Sequence, residues 1–367
     1  RKPAGQPATL RATLRLDQDR VAAVEGSAEG TDLAVEGRAD LPANAPGTVT
    51  LNRVELGRSS LRGRIEVPAR RGAPYRIVLS GRQIDLSGRL SRAPGAAAPE
   101  PPGPAADGPP WSLQARFDRA LMAQGRPVTA VVAEAESDGH AVRRARLRAG
   151  QPEVLALDVG PDSGASASGG QAEGRRLSLT SGDAGEVLRL FDVNDDVRGG
   201  RLAVAARYDD RQTPAPLAGT ATIDEFRLAN APAMARLLQA MTLYGLVEMM
   251  QGPGLGFTRL VAPFTLRDDL LELREARAYN QSLGLTMKGN ADLARHRIDM
   301  QGTIVPAYFF NSLLGNLPLV GKLFSPEKGG GLFAATYTLR GPLDDPAVSV
   351  NPLSALTPGF LRGLFGP

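Results

Sequence analysis

Four adjacent acid pairs come nearest, by residue type and spacing, to chemistry: Asp195-Asp196, Asp209-Asp210, Asp268-Asp269 and Asp344-Asp345. Paired carboxylates can share a proton or hold a divalent cation. Each pair falls where the pattern predicts a turn, and aspartate favours turns because its side chain bonds to nearby backbone amides. His140 follows Asp138-Gly139, and His296 lies between Arg295 and Arg297. Neither has a neighbour at metal-ligand spacing, so both read as surface loop residues. Gly252-Pro253-Gly254-Leu255-Gly256 lacks the preceding strand and following helix of a dinucleotide site, and Lys328-Gly329-Gly330-Gly331 has its lysine on the wrong side for a phosphate loop. Cysteine is absent, which removes disulfides, thiolate metal sites and a cysteine nucleophile. With no nucleophile beside a base, the sequence predicts no enzyme, no cofactor and no metal site.

Charge points elsewhere too. Residues 1–92 carry 16 basic and 10 acidic side chains, within a chain of 43 Lys plus Arg and 39 Asp plus Glu. A nucleic-acid surface clusters its cations. Here arginines alternate with apolar residues, as on the solvated side of a strand, so no nucleic-acid partner is expected. At 367 residues and 42% hydrophobic content the chain could hold several ordinary domains or one elongated one.

The elements are mostly strands. Leu10, Ala12, Leu14 and Leu16 alternate with polar residues, as do Leu33, Val35, Gly37, Ala39 and Leu41, then Leu61, Gly63, Ile65 and Val67, then Tyr75, Ile77, Leu79 and Gly81. Period two with short intervening turns predicts half-buried strands in an antiparallel meander. Ser91–Pro110 is a Pro/Ala/Gly-rich linker that cannot bury a core. Glycines recur in the apolar phase at Gly26, Gly37, Gly63, Gly81, Gly88, Gly219, Gly289, Gly302 and Gly341. Each weakens a strand, so each needs a reason: room for a long sheet to curl, or tight packing of a second layer.

Helical spacing appears at 183–191, with Ser181 as its cap, and at 232–251, with Pro232 in the first turn. The second segment places Met234, Leu237, Leu238 and Met241 on one face. Methionine suits irregular apolar partners, so this helix is either a plug at the end of a sheet or a lipid-facing lid. Leu283, Leu285 and Met287 then pair with Ile298, Met300 and Ile304 in a hairpin whose two arms face one side.

From Pro306 to Phe324, nineteen residues hold one charge, Lys322, but Gly315, Pro318 and Gly321 interrupt any single spanning helix. Phe309, Phe310, Leu313, Leu314 and Leu317 fit one short amphipathic turn, and Leu323 and Phe324 belong to a second beyond the proline. Phe360, Leu361, Leu364 and Phe365 make a final apolar foot. Such segments lie on an apolar surface rather than cross it.

The wording IVPAYFFNSLLGNLPLVGKLF, followed by GGGLFAATYTLRGPLDDPAVSVNPLSALTPGFLRGLF, resembles the C-terminal region of the AsmA-like family, in particular its YhdP-type branch. SGDAGEVLRLFDVNDDVRGGRL and the block 230–257 are similar to that branch as well, and the likeness covers about half of the chain. The resemblance implies a mainly β fold: an elongated, curved antiparallel sheet forming an open hydrophobic trough, related to chorein-type bridge proteins. The segments expected are a trough piece at 1–90, the linker at 91–110, a second trough piece at 111–217 and an AsmA-like C-terminal region at 218–367.

The implied activity is passive phospholipid movement in the periplasm, from an inner-membrane anchor ahead of this stretch toward the outer membrane. Leu283, Leu285, Met287, Ile298, Met300 and Ile304 would line the floor, with Met234, Leu237, Leu238 and Met241 beside them. The segments 309–324 and 360–365 would touch membrane or envelope partners. A structural role docking envelope proteins, or a closed β-sandwich without a groove, are the competing expectations.

Overall fold

In a computed structural model of the chain, the residues described are 7–17, 20–43, 45–90, 108–162, 174–229, 231–240, 254–281, 283–306, 335–343 and 345–351. They belong to two compact units, the first built on Arg1–Ser91, Pro99–Leu177 and Leu190–Asp192, the second on Ser178–Arg189 and Val193–Pro367. Packing therefore divides the chain at different points than composition does.

The first unit contains β1 (Ala8–Asp17), β2 (Arg20–Gly30), β3 (Leu33–Asp40), β4 (Gly47–Leu56), β5 (Ser59–Val67), β6 (Tyr75–Asp85), β7 (Trp111–Leu121), β8 (Pro127–Ser137), β9 (Val142–Ala149) and β10 (Leu155–Pro161). Each pairs with the next in sequence, as the short turns lead one to expect. One pair departs from the meander. β6 and β7 run parallel, Ile77 opposite Leu113 and Gly81 opposite Phe117. Parallel strands need a crossover of a dozen residues or more, and the linker at 91–110 supplies the length. Its described end is tied back where the Tyr75 amide donates to the Pro110 carbonyl at 2.9 Å.

A short α1 (Ser87–Leu90) follows β6, so Gly88 lies in a helical turn and not in a strand as its spacing suggested. A 3-10 turn, Ala123–Gly125, follows β7. Arg58, in the β4–β5 turn, donates to Asp85 Oδ2 at 2.8 Å and to Ser87 Oγ at 2.7 Å, fastening three elements together.

β11 (Arg175–Ser181) precedes the second unit's α2 (Ala184–Leu190). Asp183 caps α2, its Oδ1 accepting the Glu186 amide at 2.8 Å. Ser181, the cap expected from sequence, instead accepts the Asp183 amide one step upstream. The strands are β12 (Val197–Tyr208), β13 (Leu217–Leu228), β14 (Leu255–Arg267), β15 (Leu270–Tyr279), β16 (Leu283–Asp292), β17 (Arg297–Pro306), β18 (Ala335–Pro342) and β19 (Ala347–Asn351), consecutive and antiparallel. Between β13 and β14 lies α3 (Pro232–Ala240), with Leu237 and Leu238 buried. The mainly β class with curled sheet and few short helices is thus the one observed.

Register breaks recur along the sheets, between β3 and β4, β4 and β5, β5 and β6, β14 and β15, and β15 and β16. A bulge bends its strand and sharpens the right-handed twist, so a row of them curls a sheet. The glycines act in the same sense. A Cβ on Gly63 would lie 2.6 Å from Leu79 Cδ2 and 2.7 Å from the Val78 carbonyl oxygen, both on the neighbouring β6. At Gly302 it would collide with the Thr286 carbonyl oxygen of β16 and sit 2.7 Å from Tyr337 Oη of β18. Gly37, Gly81, Gly219 and Gly289 likewise face atoms of adjacent strands. Of the two reasons open from sequence, the curl of a single sheet is the one these contacts support, because the space is taken by strands of the same sheet.

Substituting Gly302 by Val should therefore cost about 1–3 kcal/mol, in the range of overpacked cores, and lower the second unit's melting temperature in thermal denaturation followed by circular dichroism. Gly284→Ala, whose Cβ would find its nearest atom at 3.9 Å, should leave that temperature nearly unchanged.

Candidate functional site: the apolar face of the sheet

Residues directly opposite each other across two strands share a face. In the first unit that rule joins Leu14, Val24, Ala39, Val49, Ile65, Ile77, Leu113, Ala135, Ala145 and Val159, one per strand from β1 to β10. All ten are apolar. The next row, on the other face, reads Thr13, Glu25, Arg38, Thr50, Arg64, Val78, Gln114, Glu134, Arg146 and Asp158. The sheet is two-sided across every pairing, and the arginine-rich alternation of the sequence is its outer side.

Ion pairs knit that polar side. Arg146 lies 3.7 Å from Glu134 Oε2 and 3.4 Å from Asp158 Oδ1, and Arg76 lies 3.5 Å from Glu66 Oε2. These side chains are largely exposed, so each pair adds little stability. What they do is keep this face in water.

The second unit repeats the plan. Leu202, Ile223, Leu260, Ala278, Leu285, Ile304 and Ala335 form one row from β12 to β18. Phe226 stacks on Phe257 with ring centroids 5.2 Å apart. Tyr337, directly opposite Gly302, donates its hydroxyl to the Thr286 carbonyl at 2.7 Å, reaching past β17 to β16. Burial pushes its phenol well above the ordinary range.

All six expected floor residues come together on this face: Leu285 opposite Ile304, Leu283 opposite Pro306, Met287 opposite Gly302, Met300 opposite Gly289 and Ile298 opposite Ala291. Met287, Ile298 and Met300 also pack in one cluster with Ala291 and Leu339. Their exposure is what the sequence did not reveal. Leu283, Leu285, Ile298, Met300 and Ile304 are between 0% and 9% exposed, so they are packed interior, and only Met287 is half-buried. In α3, Leu237 and Leu238 are buried and Met234 half-buried, which suits the plug better than the lid. Met241, Phe309, Phe310, Leu313, Leu314, Leu317, Leu323, Phe324, Phe360, Leu361, Leu364 and Phe365 lie outside the described residues.

In the first unit this face is less completely covered: Val49, Ile65, Ile77 and Leu113 are half-buried and Leu14 is 60% exposed. Alternation marks the strands of Leu14, Ile65 and Ile77 but not β4, which carries Val49, and none of these residues was expected as a site. The signal was present as period-two alternation; their accessibility was not, because it depends on what lies above them.

The residues suspected of chemistry are in turns. Asp195, Asp196, Asp209, Asp210, Asp268 and Asp269 all connect strands or helices, and among the described residues no three His, Asp or Glu gather as metal ligands. Asp138 Oδ1 accepts the amides of His140 and Ala141, each at 2.9 Å. The Ala141 amide above all, together with the Arg143 guanidinium and the His140 amide, holds the Asp138 carboxyl well below the usual carboxylate range. His296 sits in the β16–β17 turn, half-buried and not surface-exposed as expected, its carbonyl accepting the Leu343 amide at 2.9 Å.

The site that the described residues build is therefore an apolar sheet face. No family model, curated protein or solved structure matches the chain.

The two units should answer differently to an inserted charge. Leu285→Glu places an unpaired carboxylate in packed interior, a cost of several kcal/mol, and should lower the second unit's thermal transition by roughly 5–10 °C. Ile65→Glu, at a half-buried position, should shift the first unit's transition by less than half as much in the same scan.

Proposed function

We propose that the apolar face of the first unit carries hydrocarbon tails, and that the chain is the periplasmic part of a passive phospholipid conduit between two membranes. The observation behind this reading is the ten-strand apolar row, none of it fully buried, with a charged face behind it. A contiguous accessible apolar surface of that kind marks a binding site for something apolar. The AsmA-like resemblance favours a lipid as that occupant.

The energetics suit the role. Burial of a methylene is worth about 0.8 kcal/mol, so a 16-carbon chain in water costs on the order of 13 kcal/mol. A continuous apolar floor removes most of that barrier at every step, while head groups remain in water. Discrimination among head groups would then be weak. No bond is made or broken, so no catalytic residue is required. Among the described residues no helix is long and apolar enough to cross a membrane, and membrane attachment in this reading comes from an anchor or from the apolar segments at 309–324 and 360–365.

Photocrosslinking amino acids at Ile65 and Ile77, compared with Arg64 on the opposite face, test the reading in cells with a Gram-negative-type envelope. Phospholipid should be recovered from the first two sites and not from the third. Equal recovery from both faces, or none from Ile65 and Ile77, would overturn it.

A further inference from the structure

Two aromatic residues stand at one rim of the first unit's largely aliphatic face. β6 and β7 both begin at this rim, where Tyr75 lies directly opposite Trp111. They precede Ile77 and Leu113 by two positions and so share the apolar face with them. Both rings are half-buried, and Trp111 is the chain's one tryptophan. The turn leading into β6 carries Arg70 and Arg71, both exposed. Its Ala73 amide donates to the Arg70 carbonyl at 3.3 Å, and Gly72 supplies the left-handed position at φ +82°. Pro68 and Pro74 flank the turn, so the arginines sit on a stiff base. Among the described residues neither guanidinium has an ion-pair or hydrogen-bond partner. Asp40 and Asp138, acids of the same rim, are already engaged, the first with Arg38 at 2.9 Å and the second with Arg143 and the amides of its own turn.

We propose that Arg70, Arg71, Tyr75 and Trp111 form a head-group station, a site for the phosphate of a lipid whose tails lie on the apolar face. The proposal rests on the lipid reading of that face and adds to it a polar contact. Trp and Tyr settle where hydrocarbon meets water, the ring on the apolar side and the N–H or O–H on the wet one. The two guanidinium groups beside them are planar forks of donors that match phosphate oxygens. Phosphate is what phospholipids share, so the station selects the class of lipid and not the variable part of its head group.

The opposite rim of the unit is not built for this. Its turns hold no Trp or Tyr, Leu121, Met122 and Ala123 are buried there, and Arg58 is spent on Asp85 and Ser87. Lipids on this face would therefore turn their head groups toward the Tyr75 rim.

Trp111 fluorescence reads the station directly, because the chain has no other tryptophan. The intact chain is titrated with dihexanoylphosphatidylglycerol, with dihexanoylglycerol as a tail-only control, both below their critical micelle concentrations, and with inorganic phosphate. The phospholipid should shift the emission to the blue and bind more tightly than either control. Combining Arg70→Ala with Arg71→Ala should weaken phospholipid binding about tenfold or more and leave dihexanoylglycerol binding unchanged, with circular dichroism confirming the fold. A double variant that binds the phospholipid as the parent does, or that loses both lipids equally, would overturn the station. Inorganic phosphate binding as tightly as the phospholipid would do the same, and in all three cases the tail reading stands as long as dihexanoylglycerol binds the parent chain. Binding of neither lipid to the parent chain would overturn both.

Discussion

Side chains along a strand alternate faces, so a slip of one residue in the β5–β6 pairing would turn Ile65 or Ile77 toward the charged side and bring Arg64 or Arg76 onto the apolar one. Register is thus held by the hydrophobic effect at every strand pair and not by any single contact. It fails only collectively. Ten strands of the first unit and eight of the second each keep the same faces throughout, although bulges interrupt several of the pairings. A bulge flips the alternation locally, and the sequence absorbs it: Leu51 and Val54 are three apart yet each pairs with an apolar-phase residue of β5, Gly63 and Leu61 respectively.

The same constraint explains the glycine distribution. Curling a sheet toward its apolar side brings neighbouring strands together on that side, and a Cβ there meets the next strand's carbonyl oxygen or side chain. Glycine answers the crowding at a cost of about 0.5–1 kcal/mol in backbone entropy. At Gly302 the loss is partly offset by Tyr337, whose ring covers the bare backbone and whose hydroxyl bonds to β16. Curl, glycine and cross-strand aromatic are one device seen at three scales.

Much of this was legible in the sequence, for a physical reason. Period-two alternation is a local property, so the strands around Leu33, Leu61, Tyr75 and Leu283 could be read directly, together with the hairpin that joins Leu285 to Ile304. What depended on distant chain could not. The parallel β6–β7 pair required knowing where Trp111 docks after the linker, and composition says only that the linker is long enough. The burial of Ile304 and the accessibility of Ile65 look alike in sequence, since both are isoleucines in an alternating strand. The cap of α2 was misplaced by two residues because Ser181 and Asp183 are both good capping types and only geometry separates them.

An unbroken antiparallel meander sends successive hairpins alternately to its two rims, which leaves the rims nearly equivalent. The parallel β6–β7 pair abolishes that equivalence in the first unit. Because β6 and β7 point the same way, α1 and the 3-10 turn emerge side by side, joined where the Leu86 amide donates to the Leu121 carbonyl at 2.8 Å. One rim therefore collects a compact apolar knot around Met122 and Ala123, sealed by the Arg58 contacts to Asp85 and Ser87, while the facing rim carries ordinary hairpins. The two rims of the first unit's sheet are therefore built differently, as those of a plain meander would not be.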